Sequence, residues 1–120
     1  MLLGETGGVR LAGSTIKGNV QALNTSAASD AMSYGANVIC NTTIQGNLIV
    51  QGSASGAPWH IGACGTTTVN GNVLFNQNAG GGNTIANAVV KGNLICQGNH
   101  DISVSKTTVG GNRLGQCAGT

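Results

Sequence analysis

Four cysteines, two histidines and three carboxylates are the side chains of this 120-residue chain most able to do chemistry, so their spacing decides which chemistries are open. Glu5, Asp30 and Asp101 are scattered along the chain. A pair of carboxylates held about 5–10 Å apart, as glycoside hydrolysis requires, is not expected from them. His100 stands beside Asp101 and has the composition of a general base, but no nucleophile lies in register with it, and a polar corner is the better reading. His60 and Cys64 form the one close pair of potential metal ligands. With no C-x-x-C in the chain, a zinc site is disfavoured. The stretch NAGGGNT is glycine-rich but lacks the lysine and following helix of a phosphate cradle. The sequence therefore predicts a protein that is not an enzyme, with no catalytic residues, no metal and no cofactor.

What these residues can do depends on the elements that carry them, and those elements repeat. The segment VKGNLICQGN, beginning at Val90, places a Gly-Asn pair inside an apolar stretch. The same pair returns as Gly18-Asn19, Gly46-Asn47, Gly71-Asn72, Gly92-Asn93 and Gly111-Asn112, at spacings of 28, 25, 21 and 19 residues. A β-branched residue stands two positions before each glycine (Ile16, Ile44, Val69, Val90, Val109). Two positions after it stand Val20, Leu48, Val73 and Leu94, with Arg113 in the last copy. This period of two belongs to a strand with one buried face. A shorter strand and a polar corner precede each copy, as in VICNTTI and ISVSKTTV.

Such a unit cannot bury its apolar face alone, but stacking equivalent strands in parallel makes a continuous interior. The expected fold is all-β: a single-domain, right-handed parallel β-helix (β-solenoid) over residues 1–120. It has about five coils, centred on Gly18, Gly46, Gly71, Gly92 and Gly111, with ~4.8 Å between coils. Within it the glycine is expected to point inward where a coil bends and the interior narrows. The asparagine is expected to tolerate a left-handed backbone and to bond to its copies above and below.

Stacking also brings the cysteines together. Cys40 and Cys64 precede the glycines of the second and third units by six and seven residues, and Cys96 and Cys117 follow those of the fourth and fifth by four and six. Positions stacked on neighbouring coils are ~5 Å apart, within reach of a disulfide, so the expected pairs are Cys40 with Cys64 and Cys96 with Cys117. Four free buried thiols are the alternative. Disulfides imply an oxidising compartment and a secreted or cell-surface protein. The opening MLLGETGG is too poor in apolar residues for a signal peptide core.

Composition narrows the partners. Charged residues are 7% of the chain, against roughly 25% in ordinary domains, and the formal net charge is +2. That is too thin for a nucleic-acid footprint. No apolar run is long enough to span a membrane. The apolar fraction of 40% and its periodicity argue against disorder.

The repeat, together with the ending TTVGGNRLGQCAGT, resembles small secreted β-solenoid proteins of bacteria whose copies look like TV-x-GNV-x-V and which end in a GGN…GQC segment. A looser likeness, through apolar-x-Gly spacing, is to the bactofilins, cytoskeletal β-helices that polymerise end to end. The resemblance implies an architecture and brings no catalytic residues with it. Two function classes follow. The first is a non-catalytic extracellular structural solenoid, a homo-oligomer stacking head to tail into filaments or a surface or matrix layer. The alternative for the ends is that Arg113, occupying an apolar slot, blunts the last coil against such stacking. The second is a module that binds a glycan or another surface through the loops at 21–37 and 51–62, where Tyr34 and Trp59 are the candidate binding residues.

Overall fold

The structure is a computed structural model that describes residues 2–4, 10–25 and 37–118, with residues 2–4 described by their backbone. A short strand, β1 (Leu2–Gly4), comes first, and five rungs of three strands follow. The first rung is β2 (Arg10–Ala12), β3 (Thr15–Ile16) and β4 (Val20–Leu23); the second is β5 (Asn37–Cys40), β6 (Thr43–Ile44) and β7 (Leu48–Gln51). The third comprises β8 (Trp59–Ile61), β9 (Thr67–Val69) and β10 (Val73–Asn76), and the fourth β11 (Asn83–Ala86), β12 (Ala88–Val90) and β13 (Leu94–Gln97). The fifth is β14 (Ile102–Ser105), β15 (Thr108–Val109) and β16 (Arg113–Gly115).

Equivalent strands pair in parallel into three sheets. Sheet A runs β1-β4-β7-β10-β13-β16, sheet B β2-β5-β8-β11-β14 and sheet C β3-β6-β9-β12-β15. The five rungs correspond to about four turns of a parallel β-solenoid. Register is kept column by column: Val20, Leu48, Val73, Leu94 and Arg113 align in sheet A, and Leu11, Ile39, Ile61, Ile85 and Val104 in sheet B. Because side chains alternate across a strand, each column is wholly inward or wholly outward. The inward columns form one core that includes Val20, Ala22, Ile39, Leu48, Phe75 and Leu94, each at 0% exposure.

The Gly-Asn pair is not inside a strand, as its apolar flanks suggest. It turns the chain from sheet C into sheet A, so the stretch from Ile16 to Ala22 is two strands in two sheets. Nor does the glycine point inward: Gly18 and Gly111 are exposed and Gly46, Gly71 and Gly92 half-buried. Its role is axial. The Oδ1 of each ladder asparagine lies over the glycine of the next rung, where it accepts the backbone N–H of the next asparagine. The Asn47, Asn72, Asn93 and Asn112 amides reach the Oδ1 of Asn19, Asn47, Asn72 and Asn93 at 2.8 Å each. A Cβ on Gly46, Gly71, Gly92 or Gly111 would overlap that Oδ1 and come within 2.8 Å or less of the carbonyl oxygen of the glycine one rung before. Glycine is required by its neighbour in the stack, not by a narrow interior.

The left-handed backbone expected at these asparagines lies elsewhere. It falls at Asn24, Gly52, Gln77, Gly98 and Gly115, where sheet A ends, and at Gly13, Asn41, Asn87 and Lys106 between sheets B and C. At the second of these corners a hydroxyl bonds back to the carbonyl two residues earlier: Ser14 to Ala12, Thr42 to Cys40 and Thr107 to Ser105. This local bond is the one serine and threonine favour at turns, and it explains why hydroxyl residues cluster there.

The glycine requirement can be tested inside one molecule. Gly71→Ala should destabilise the fold by about 1–3 kcal/mol, the usual cost of overpacking. Gly18→Ala, whose Cβ meets nothing within 4 Å, should fall within about 0.5 kcal/mol of wild type. Urea denaturation of the two variants measures the difference.

Candidate functional surfaces

Of the two aromatic residues assigned to binding, Trp59 is removed from that role by its position. It begins β8 and is the largest fully buried side chain. Its indole Nε1 donates to Ser53 Oγ at 2.8 Å and its amide to Asn83 Oδ1 at 2.9 Å. An indole N–H in a core needs such a partner, and a side chain this satisfied has no face left for a sugar. The segment 51–62 is therefore not one loop, since Gln51 ends β7 and residues 59–61 form β8. Tyr34 lies outside the described residues, as do Glu5 and Asp30. The segment 21–37 is likewise strand at Gln21–Leu23 and at Asn37.

Asp101 spends its carboxylate on the backbone, with Oδ2 accepting from the Gly82 amide at 3.0 Å. Its own carbonyl accepts from Asn83 Nδ2 at 2.8 Å. His100 is exposed and its amide donates to Asn78 O, while His60 faces outward in β8 in line with Val38 and Thr84. Among the described residues, no three His, Cys, Asp or Glu side chains gather in a way that could hold a metal ion.

The cysteines pair across rungs, Cys40 with Cys64 and Cys96 with Cys117, at Cα separations of 5.3 and 5.4 Å. The first bond joins the second rung to the third and the second joins the fourth to the fifth. Each closes a short loop, a restriction of the unfolded chain that contributes about 3 kcal/mol.

A second ladder escaped the sequence reading. Just past each sheet A strand, Ser53, Asn78, Asn99 and Gln116 stack in line. The Ser53, Asn78 and Asn99 amides donate to Asn78 Oδ1, Asn99 Oδ1 and Gln116 Oε1 at 3.1, 3.0 and 2.9 Å. This ladder is deeper than the Gly-Asn one: Asn78 and Asn99 are buried, and their Nδ2 groups also donate to Val50 O and Phe75 O. Its signal was present in the endings QGS, NQN and QGN, one residue beyond each left-handed position.

Two outward surfaces remain. On sheet A, Ile49, Leu74, Ile95 and Leu114 align beside the amide column Gln51, Asn76 and Gln97. A shallow groove of about 160 Å³ beside the amides is lined by Gln51, Asn76, Gln77, Gln97 and Gly98. On sheet C, Thr15, Thr43, Thr68, Val89 and Thr108 align.

Among the described residues, apolar side chains of the first and fifth rungs are less buried than those between them. Ile102, Val104 and Val109 in the fifth rung and Leu11 and Ile16 in the first are only partly buried, whereas Ile85 and Val90 of the same columns are 1% exposed. Leu114, the last described residue of its column, is 44% exposed. In the inward slot of β16, the Arg113 Nη2 donates to Thr107 O at 2.6 Å, so this guanidinium is anchored within its own rung. No family model, curated protein or solved structure matches this chain.

Two expectations follow from these placements. Trp59→Ala should cost about 3–5 kcal/mol of stability, as for other large core truncations, and the wild-type tryptophan emission should shift to longer wavelength on unfolding. Cys64 is exposed while Cys96 and Cys117 are both at 0% exposure, so mild reduction without denaturant should open Cys40–Cys64 first. Alkylation followed by mass analysis would show the order.

Proposed function

We propose that this protein is a non-catalytic, secreted structural subunit that adds to copies of itself end to end, forming filaments or a surface or matrix layer. The observation that carries this reading is the mismatch of the two ladder ends. Gly46, Gly71, Gly92 and Gly111 each lie under the Oδ1 of an asparagine, but no described residue stands within 4 Å of a Cβ at Gly18. At the far end the Asn112 amide is bonded to Asn93, and no described residue lies over its side chain as Gly111 lies under Asn93. Asn112 of one copy would take over Gly18 of the next the place that Asn19 takes over Gly46. The same stacking sets Val104 over Leu11 and Val109 over Ile16, two apolar pairs.

The contact is head-to-tail, and a heterologous contact of this kind builds open filaments rather than closed rings. The two disulfides are compatible with an extracellular setting and support the secreted part of the reading. The resemblance to secreted, glycine- and asparagine-rich solenoids points the same way. A glycan-binding role through Trp59 lacks that support, because the ring is in the core.

The test uses the open position. Gly18→Val places a branched side chain where the monomer has space and an incoming Asn112 would not. The variant should fold with wild-type circular dichroism and stay monomeric at concentrations where wild type sediments as larger species. Assembly of Gly18→Val equal to wild type would sink the proposed contact, and a wild type that is monomeric at every concentration would sink end-to-end assembly.

A further inference from the structure

Among the described residues sheet A has six strands and sheets B and C five, and the difference is β1. Leu2, Leu3 and Gly4 pair in parallel with Gln21, Ala22 and Leu23 of β4, continuing the register of every later rung. No described strand accompanies β1 in the other two sheets. Its effect shows in burial. Within the first rung, Ala22, the register partner of Leu3, is 0% exposed, while Leu11 and Ile16, in the two sheets where no described strand accompanies β1, are partly exposed.

We propose that the edge of β4 facing away from β7 is a strand-binding site, filled within the molecule by β1 and between molecules by β16 of a second copy. This inference rests on the end-to-end reading and adds to it the competition that regulates the contact. The occupant is identified by register. In each rung the strand after the Gly-Asn pair lies on its equivalent one rung away, so a second copy whose Asn112 sits over Gly18 must bring Arg113–Gly115 onto Val20–Ala22. That edge is where Leu2 and Leu3 already pair. The two strands cannot occupy it together.

β1 is suited to leave. It is three residues long, ends in glycine and, among the described residues, has a neighbouring strand on one side only. Edge strands of this kind are the least stable part of a sheet. The incoming copy offers three strands at once, with β14 and β15 meeting the edges of β2 and β3 that no described strand covers. Its Arg113 arrives with the guanidinium already bonded to Thr107 O. Assembly is then slow or weak while β1 is seated and proceeds once it has lifted.

Two full-length variants test this by sedimentation velocity across a concentration series. In the first, Leu2→Cys with Gln21→Cys pins β1 to its register partner; neighbouring parallel strands are ~4.8 Å apart, inside the range of a disulfide. The oxidised double variant should remain monomeric, and each single variant should assemble like wild type. In the second, Leu2→Gly with Leu3→Gly weakens β1, and the concentration at which assembly begins should fall about tenfold. Unchanged assembly in the pinned variant, or an unchanged threshold in the weakened one, overturns strand exchange while leaving end-to-end addition standing. If wild type stays monomeric at every concentration, end-to-end addition itself fails and the exchange falls with it.

Discussion

The bond from one asparagine side chain to the backbone of the next rung is the constraint from which the rest of this fold follows. At 2.8 Å in four successive steps, it fixes the rise between rungs at the corner where sheet C becomes sheet A. It also dictates the glycine, since the Oδ1 that accepts the bond lies where a Cβ would stand. Two residues thus define a unit that specifies its own copy above and below. The columns of apolar residues on either side inherit their alignment from it, and a one-residue slip would turn an inward column outward.

This division of labour explains a surface with so few charges. Ordinary domains use salt bridges and charged rims to keep neighbours apart, whereas here polar satisfaction is internal and axial. The second ladder of Asn78, Asn99 and Gln116 shows how far this goes, because two of its members are buried and make several bonds each. A buried amide left half-satisfied is costly, so a network of this kind tolerates one arrangement only. Specificity comes from amides and packing from the aliphatic columns. The disulfides tie rungs in pairs, the second with the third and the fourth with the fifth, and leave the first rung to its hydrogen bonds and to β1.

Much of this was legible in the sequence because a solenoid writes its geometry as a period. Five Gly-Asn pairs with matched flanks lead to parallel stacking, and stacking brings Cys40 near Cys64 and Cys96 near Cys117. What the period does not carry is direction within a rung. Ile16 and Val20 keep the alternation of a single strand across a corner, so the change of sheet at Gly18 left no mark in the pattern. The inward placement expected for the glycines failed for the same reason, since burial was inferred along the strand while the crowding is along the axis. Trp59 looked like a loop residue because the return segments vary in length and blur where a strand begins. Its position in line with Asn37 and one residue before the His60–Thr84 pair is plain only once the rungs are aligned. The end surfaces were harder still, because a feature such as the open space at Gly18 is visible only against four positions where it is filled.

The repeats shorten from 28 to 19 residues, yet the ladders keep their register throughout. The variation is taken up mostly in the passage from sheet A back to sheet B, with a smaller insertion around Cys64 where sheet B meets sheet C. Beyond the second ladder, that return is an indel-tolerant port: chain can be added or removed there while the stacked columns keep their register. A lineage built on this plan can diversify what it displays along one flank at no cost to its axis, and an engineer could graft a foreign peptide at the same seam.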